Sequence, residues 1–215
     1  MMISRRLKSI AGLIYETDNV LDVGCDHALL GIYLVKNKIL DHLIVSDINA
    51  NAIAGGLKNI KKYKLEKKID ARLGNGLEVM DVHTDTVVIS GMGANTIIKI
   101  LSHSNLKQIK KLIIQANNDH FLLRRYLTFK GFYIAHECLV YEKGHYYINI
   151  VFLRGKRKYS IKELKYGPIL MYANKDYYDF LLKKKHAILD NIPRYKIFSR
   201  LKHHRDAIFL KRLSK

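Results

Sequence analysis

Short apolar runs alternate with amphipathic stretches along the chain up to about residue 153, and that alternation predicts its architecture. Val20–Val23 reads as a buried strand. Ala28–Lys36 follows as a helix that is apolar nearly all round, as expected of one sandwiched against a sheet. Leu43–Ser46 is a second strand ending at Asp47, and Asn49–Tyr63 an amphipathic helix that Asn49 can cap. Ile69–Leu73, Thr86–Ser90 and Lys111–Gln115 are further strands, with helices predicted over Ala94–Leu101 and over His120–Phe129, which stops at Lys130-Gly131. Ahead of them, Leu7, Ile10, Ala11 and Ile14 recur at helical spacing within Ser4–Tyr15. Tyr133–Tyr141 and Tyr146–Leu153, separated by Glu142-Lys143-Gly144, read as a hairpin. The order implies an α/β fold, a mostly parallel sheet with helices on both faces closed by an antiparallel pair.

Beyond Gly155 the pattern is helical throughout. Tyr178, Leu181, Leu182, Ile188, Leu189 and Ile192 recur every three or four residues, Pro193 interrupts them, and Ile197, Leu201 and Ile208 resume. The expectation is a helical hairpin, coiled-coil-like, with a shared apolar seam and lysines outside. Two domains follow, residues 1–154 and 155–215.

Charge changes the picture of the second part. The chain carries a formal net charge of +19; from Arg154 onward there are 18 Lys and Arg against 5 Asp and Glu. Nucleic acid, an anionic membrane surface, or a lysine-rich background composition each account for such a tail. Cys25 and Cys138 stand far apart and outside any Cys-x-x-Cys pair, so neither a disulfide framework nor a metal site is expected. The first residues lack the apolar core of a signal peptide, and no run approaches the roughly 18 apolar residues of a membrane span. A soluble, cytoplasmic protein is expected, monomeric and with no protein partner implied.

The chemistry gathers at strand ends. Val20–Val23 runs through Gly24 into Cys25, Asp26 and His27, the point where a helix should open with free N–H groups toward a ligand. Asp47, Gly74 to Gly76, and Gly91-Met92-Gly93 end the second, third and fourth strands, and in an open parallel sheet these positions share one edge. A dinucleotide asks for Gly-x-Gly-x-x-Gly, whose second and third glycines are absent, and Asp26 would repel a phosphate. The lysine of a triphosphate loop is missing too. A phosphate-free adenosine compound with a cationic centre, S-adenosylmethionine, suits Asp22 and Asp26, while Asp47 is placed to accept ribose hydroxyls.

Asp-Val-Gly-Cys-Asp-His-Ala-Leu-Leu at 22–30, Gly-Asn-Gly-Leu-Glu-Val at 74–79, Ser-Gly-Met-Gly at 90–93 and Leu-Ile-Ile-Gln-Ala-Asn at 112–117 together resemble the bacterial TrmK family. Ser-Arg-Arg-Leu near the start and Tyr-Gly-Pro at 166–168 extend the likeness into the tail. That family consists of class I, Rossmann-like transferases that use S-adenosylmethionine to methylate N1 of adenine 22 in tRNA. The resemblance implies Asp22, Gly24 and Asp26 at the methionine end, Asp47 at the ribose, Asn75 and Gly76 at the adenine, and Gly91, Met92 and Gly93 beneath the sulfonium. Arg6, Cys25 and Ile48 complete the expected cofactor contacts. Asn75 stands where the family has aspartate, Ala94 where it has glycine, and Ala116 where it has the proline of Gln-Pro-Asn.

For the reaction, Asp26 is the expected catalytic carboxylate, with His27 orienting the base; His27 as a plain helix-start residue is the alternative. Gln115, Asn117 and Asn118 stand beside the same edge, either to read the base or to cap loops. Arg5, Lys183, Lys184, Arg194, Arg200 and Arg205 are the expected tRNA contacts. Tyr172, Tyr177 and Tyr178 either stack on bases or pack in the seam. Two other functions stay open from sequence: a nucleic-acid-binding protein that keeps this fold without the reaction, and a methyltransferase for another RNA or a small molecule.

Overall fold

The computed structural model of the chain describes residues 2–215. Five strands are parallel: β1 (Val20–Val23), β2 (Leu43–Asp47), β3 (Ile69–Leu73), β4 (Thr86–Met92) and β5 (Lys111–Ala116). A hairpin of β6 (Phe132–Glu142) and β7 (His145–Arg154) closes the sheet, with β7 antiparallel to β5 and β6 at the edge, giving the order β3-β2-β1-β4-β5-β7-β6. A leading helix α1 (Arg5–Ala11) precedes the sheet, and α2 (Leu29–Lys36), α3 (Ala50–Lys62), α4 (Ala94–Ser102) and α5 (His120–Phe129) follow β1, β2, β4 and β5, while β3 passes to β4 without a helix. This is a Rossmann-like sheet. β1 and β5 are buried at every position because helices cover both faces. Strand order reverses between β1 and β4, where a crevice opens beyond their carboxyl ends.

The predicted strands recur, with instructive shifts at their ends. Asn49 caps α3, its side chain accepting from the Asn51 N–H at 2.8 Å. The leading helix stops at Ala11, capped by Gly12, rather than continuing to Tyr15. β4 runs two residues further than predicted, through a bulge between Ser90 and Met92.

Two ion pairs are buried in this unit. Lys111 reaches Asp18 at 2.6 Å with its ammonium 4.3 Å from the Tyr15 ring centre. Arg124 on α5 meets Glu137 on β6 at 2.7 Å, and its Nη1 donates to the carbonyl of Leu164.

The chain divides into two compact units, Met1–Lys165 and Tyr166–Lys215. The division falls later than the 154/155 boundary expected from sequence. The intervening segment is tied to the sheet: Tyr159 Oη accepts from the Ile134 N–H at 2.8 Å, and α6 (Ile161–Tyr166) brings Leu164 to Arg124.

The second unit contains a short 3-10 turn (Leu170–Tyr172) and two helices, α7 (Lys175–Asn191) and α8 (Ile197–Leu213). Tyr178, Leu182 and Leu189 of α7 are buried with Ala207 and Leu210 of α8. Ile197, Leu201 and Ile208, predicted for the seam, are instead 61%, 54% and 59% exposed. A two-helix hairpin offers one line of contact, and the apolar residues of α8 are spread around its circumference, so only some can enter it. Lys185 pairs with Asp206 at 3.4 Å, and Arg200 Nη1 donates to the carbonyls of Leu189 and Ile192, closing the end of α7 ahead of Pro193. No helix among the described residues is long and apolar enough to cross a membrane.

Candidate active site

A cavity of about 360 Å³ lies beyond the carboxyl ends of β1, β2 and β4. Its polar lining comes from Arg6, Asp22, Asp26, His27, Asp47 and Ser90. Gly24, Cys25, Gly91 and Met92 line it too, with Leu7, Leu29 and Leu30.

The turn after β1 is shaped by backbone. Gly24 (φ +74°), Asp26 (φ +50°) and Ala28 (φ +55°) are all left-handed. At Gly24 an added Cβ would also stand 2.1 Å from Met92 Cε, so the absent side chain admits Met92 to the cavity wall. The N–H groups of Gly24 and Cys25 donate to Ser46 O at 2.8 and 2.9 Å, that of Asp26 to Asp47 Oδ2 at 3.2 Å, and that of Ala28 to Cys25 O at 2.8 Å. The expectation that Asp26, His27 and Ala28 open the helix with free donors is therefore corrected: α2 begins at Leu29, and the Asp26 and Ala28 N–H groups are taken by Asp47 and Cys25. What faces the cavity is carboxylate, a surface suited to a cation and hostile to phosphate.

Asp47 holds this together. Its Oδ2 accepts from Asp26 and its Oδ1 from the Asn49 N–H at 3.0 Å, joining the first two strand ends. Asp22 is 3% exposed, and its burial, with the Asp47 carboxylate adding to it, pushes the acid up to about 7. Burial and the same two acids push the Cys25 thiol up to about 12, so Cys25 is a neutral part of the wall. Asp26 and His27 stand at the mouth, largely exposed, 3.8 Å apart; the His27 ring lies over α3 at Gly55, where a Cβ would come within 2.8 Å of Nδ1.

The floor is the β4 bulge, where Gly91 has φ +80°. Gln115, fully buried on β5, fixes it: Oε1 accepts from the Gly91 N–H at 3.1 Å and from Arg6 Nη1 at 2.6 Å, while Nε2 donates to Ala116 O and Asn117 Oδ1. Asn117 Nδ2 donates to Gly91 O at 2.7 Å, and Asn118 Oδ1 accepts from Ala94 N at 3.0 Å, capping α4. Gln115 therefore has a supporting place beneath the bulge; Asn117 and Asn118 remain at the surface, Asn117 tied at both ends of its amide and Asn118 at its oxygen. Arg6 also stands 5.7 Å from the Tyr147 ring centre.

Of the predicted cofactor contacts, Arg6, Asp22, Gly24, Cys25, Asp26, Asp47, Gly91 and Met92 converge on the cavity. Ile48, 71% exposed, and Asn75, Gly76 and Gly93 lie outside its lining. Sequence reasoning missed Leu7, Leu29, Leu30 and Ser90. Ser90 adjoins Gly-Met-Gly, and Leu29 and Leu30 end the first motif, so each carried a signal; Leu7 read only as a core residue. Arg5 is exposed, its backbone N–H donating to Glu142 Oε1 at 2.9 Å.

In the second unit, taken by itself, Lys183 is paired with Asp179 at 2.8 Å, Lys184 Nζ lies 4.4 Å from the Phe180 ring centre, and Arg200 caps α7. Arg194 and Arg205 are exposed. Tyr178 is buried in the seam with Tyr177 beside it, while Tyr172 is 82% exposed.

Residues 3–150 match the family described as Methyltransferase domain. The tRNA (adenine(22)-N(1))-methyltransferase of Bacillus subtilis is 29% identical over 191 residues, covering 87% of this chain and 78% of its own length. The solved structure of M. capricolum TrmK in complex with S-adenosyl-homocysteine superimposes with a TM-score of 0.84 at 27% identity, covering 99% of this chain and 97% of that one. The chain belongs to the TrmK family of methyltransferases. A Streptococcus agalactiae protein of the NADB-Rossmann superfamily superimposes with a TM-score of 0.93 at 31% identity, covering 100% of this chain and 98% of that one. Likeness to TrmK structures thus spans both units, whereas the match to the methyltransferase domain stops at residue 150.

Proposed function

We propose that this TrmK family member methylates N1 of adenine 22 in tRNA, using S-adenosylmethionine as methyl donor. The observation that carries the reading is the cavity at the β1/β4 switch point, lined by Asp22, Asp26 and Asp47, where the N–H groups of Gly24, Cys25, Asp26 and Ala28 are already hydrogen-bonded within the protein. Its volume of about 360 Å³ falls within the roughly 300–1,000 Å³ usual for small-molecule sites. Asp22 and Asp26 would face the cationic end of the donor, Asp47 the ribose, and Arg6 the carboxylate. Ile48, Asn75 and Gly76 would extend the site toward the adenine, and Gly93 would support its floor from the start of α4.

When bound, the donor supplies an electrophilic methyl group on a sulfonium. Adenine N1 already carries an in-plane lone pair, so no base is needed before attack. The new N1–C bond forms as the S–C bond breaks, the sulfur keeps the bonding pair, and the ring is left positively charged. Alignment therefore dominates, with reacting atoms brought to about 3–3.5 Å. Asp26 at the cavity mouth would stabilise the ring cation or accept a proton from its exocyclic amine, and His27 would orient the base.

N1 lies on the pairing edge, so the nucleotide must leave its stack at a cost of a few kcal/mol. Phosphate contacts from Arg5 and from the basic second unit offset that cost. Such a substrate also agrees with a cytoplasmic enzyme. The purified chain, given labelled S-adenosylmethionine and a tRNA transcript, should label nucleotide 22 when the product is mapped. Label at another position, or only in a metabolite pool, would overturn the reading; cofactor binding with no label anywhere would favour the non-catalytic alternative.

A further inference from the structure

The end of the second unit's hairpin carries features that its seam does not use. A cavity of about 400 Å³ lies there, lined by Asp190, Asn191, Ile192, Pro193, Arg194 and Arg200. Beside it, Tyr195 is 78% and Phe198 89% exposed, so neither ring contributes to packing. No carboxylate occurs between Asp190 and Asp206, while Arg194, Lys196, Arg200, Lys202 and Arg205 all fall in that interval. On α8, Phe198, Leu201 and Arg205 recur at three and four residues and share a face, so apolar and cationic groups interleave. Arg200, held by two carbonyls at 2.9 and 2.7 Å, is a fixed charge.

Exposed aromatics set among cations that outnumber the single acid of the lining, Asp190, are the arrangement by which proteins hold unpaired nucleotides: the rings stack on base faces and the cations follow the phosphates. A surface for another protein would bring its apolar groups together and keep charge to a rim. We infer that the hairpin tip is a second RNA-binding site, at which Tyr195 and Phe198 stack on an unpaired nucleobase of the tRNA while Arg194 and its neighbouring cations hold the adjoining phosphates. This rests on the tRNA reading above and adds to it an anchoring point remote in sequence from the methyl-transfer cavity.

The test uses the full chain and unmodified tRNA. The double variant Tyr195→Ala/Phe198→Ala should bind tRNA about tenfold more weakly, with an unchanged slope of log affinity against log salt, because no phosphate contact is lost. Tyr195→Phe/Phe198→Tyr, which keeps both rings, should retain wild-type affinity. Arg194→Ala should reduce the slope by about one. Cofactor affinity and thermal unfolding should be the same in every variant, confirming that both units stay folded. Wild-type tRNA affinity in the alanine double variant would overturn the site, as would a dimeric wild-type chain that this variant renders monomeric without a change in tRNA binding. If the wild-type chain neither bound nor methylated tRNA, the underlying reading would fail with it, a result distinct from a wild-type enzyme whose tip is dispensable.

Discussion

At the scale of single residues, the cofactor cavity is governed by one glycine and one buried acid. Gly24→Ala imposes a left-handed backbone on a residue with a Cβ and pushes Met92 into the cavity. The expected stability loss is about 1–2 kcal/mol, visible in denaturant titration, with a roughly tenfold or greater fall in cofactor affinity by calorimetry, equal to at least ~1.4 kcal/mol. Asp22 makes a separate prediction. Unfolded, it ionises near 3.8; folded, at about 7, so the native chain holds the extra proton between those values. Its contribution to stability is complete below the lower value and declines as pH rises through the upper. A cationic ligand favours the carboxylate, so cofactor affinity should rise as pH climbs through about 7, with proton release on binding. Calorimetry in buffers of different ionisation enthalpy measures that proton, and Asp22→Asn should abolish its release.

Among the elements, buried polar contacts decide where segments attach. α5, β6 and the end of α6 meet at Arg124, whose pair with Glu137 is almost wholly buried. Arg124→Leu takes the guanidinium from a buried carboxylate, so a loss of about 3–5 kcal/mol in unfolding free energy is expected; a loss under about 1 kcal/mol, the range of exposed pairs, would contradict that account. Similarly, Gln115 is a wall-builder because Arg6, the β4 bulge and Asn117 all converge on its amide.

For the molecule as a whole, positive charge is the dominant property, and its distribution predicts behaviour toward RNA. Within Tyr166–Lys215 there are 12 Lys and Arg against 4 Asp. Not all the cations are equivalent. Arg205→Ala should lower the salt slope of tRNA binding by about one and leave stability unchanged. Arg200→Ala should destabilise the hairpin as well, because it removes the bonds that close α7. Lys183→Ala should change the slope less, since Asp179 already sits against that ammonium. Filter binding across a salt series, with thermal unfolding of each variant, checks the ranking.

Local pattern by itself determined the strand and helix order, the glycine turn, the carboxylates at strand ends and the basic hairpin. Each of these follows from periodicity, turn chemistry or charge within a few neighbouring residues. Tertiary structure alone decided which groups are occupied with one another. It set the turn's donors against Ser46 and Asp47, buried Gln115 beneath the bulge, and turned Ile197, Leu201 and Ile208 outward. The reason is geometric: a hydrogen bond between Arg6 and Gln115, or a Cβ excluded by Met92, links residues far apart in sequence, and no local pattern encodes the distance between them.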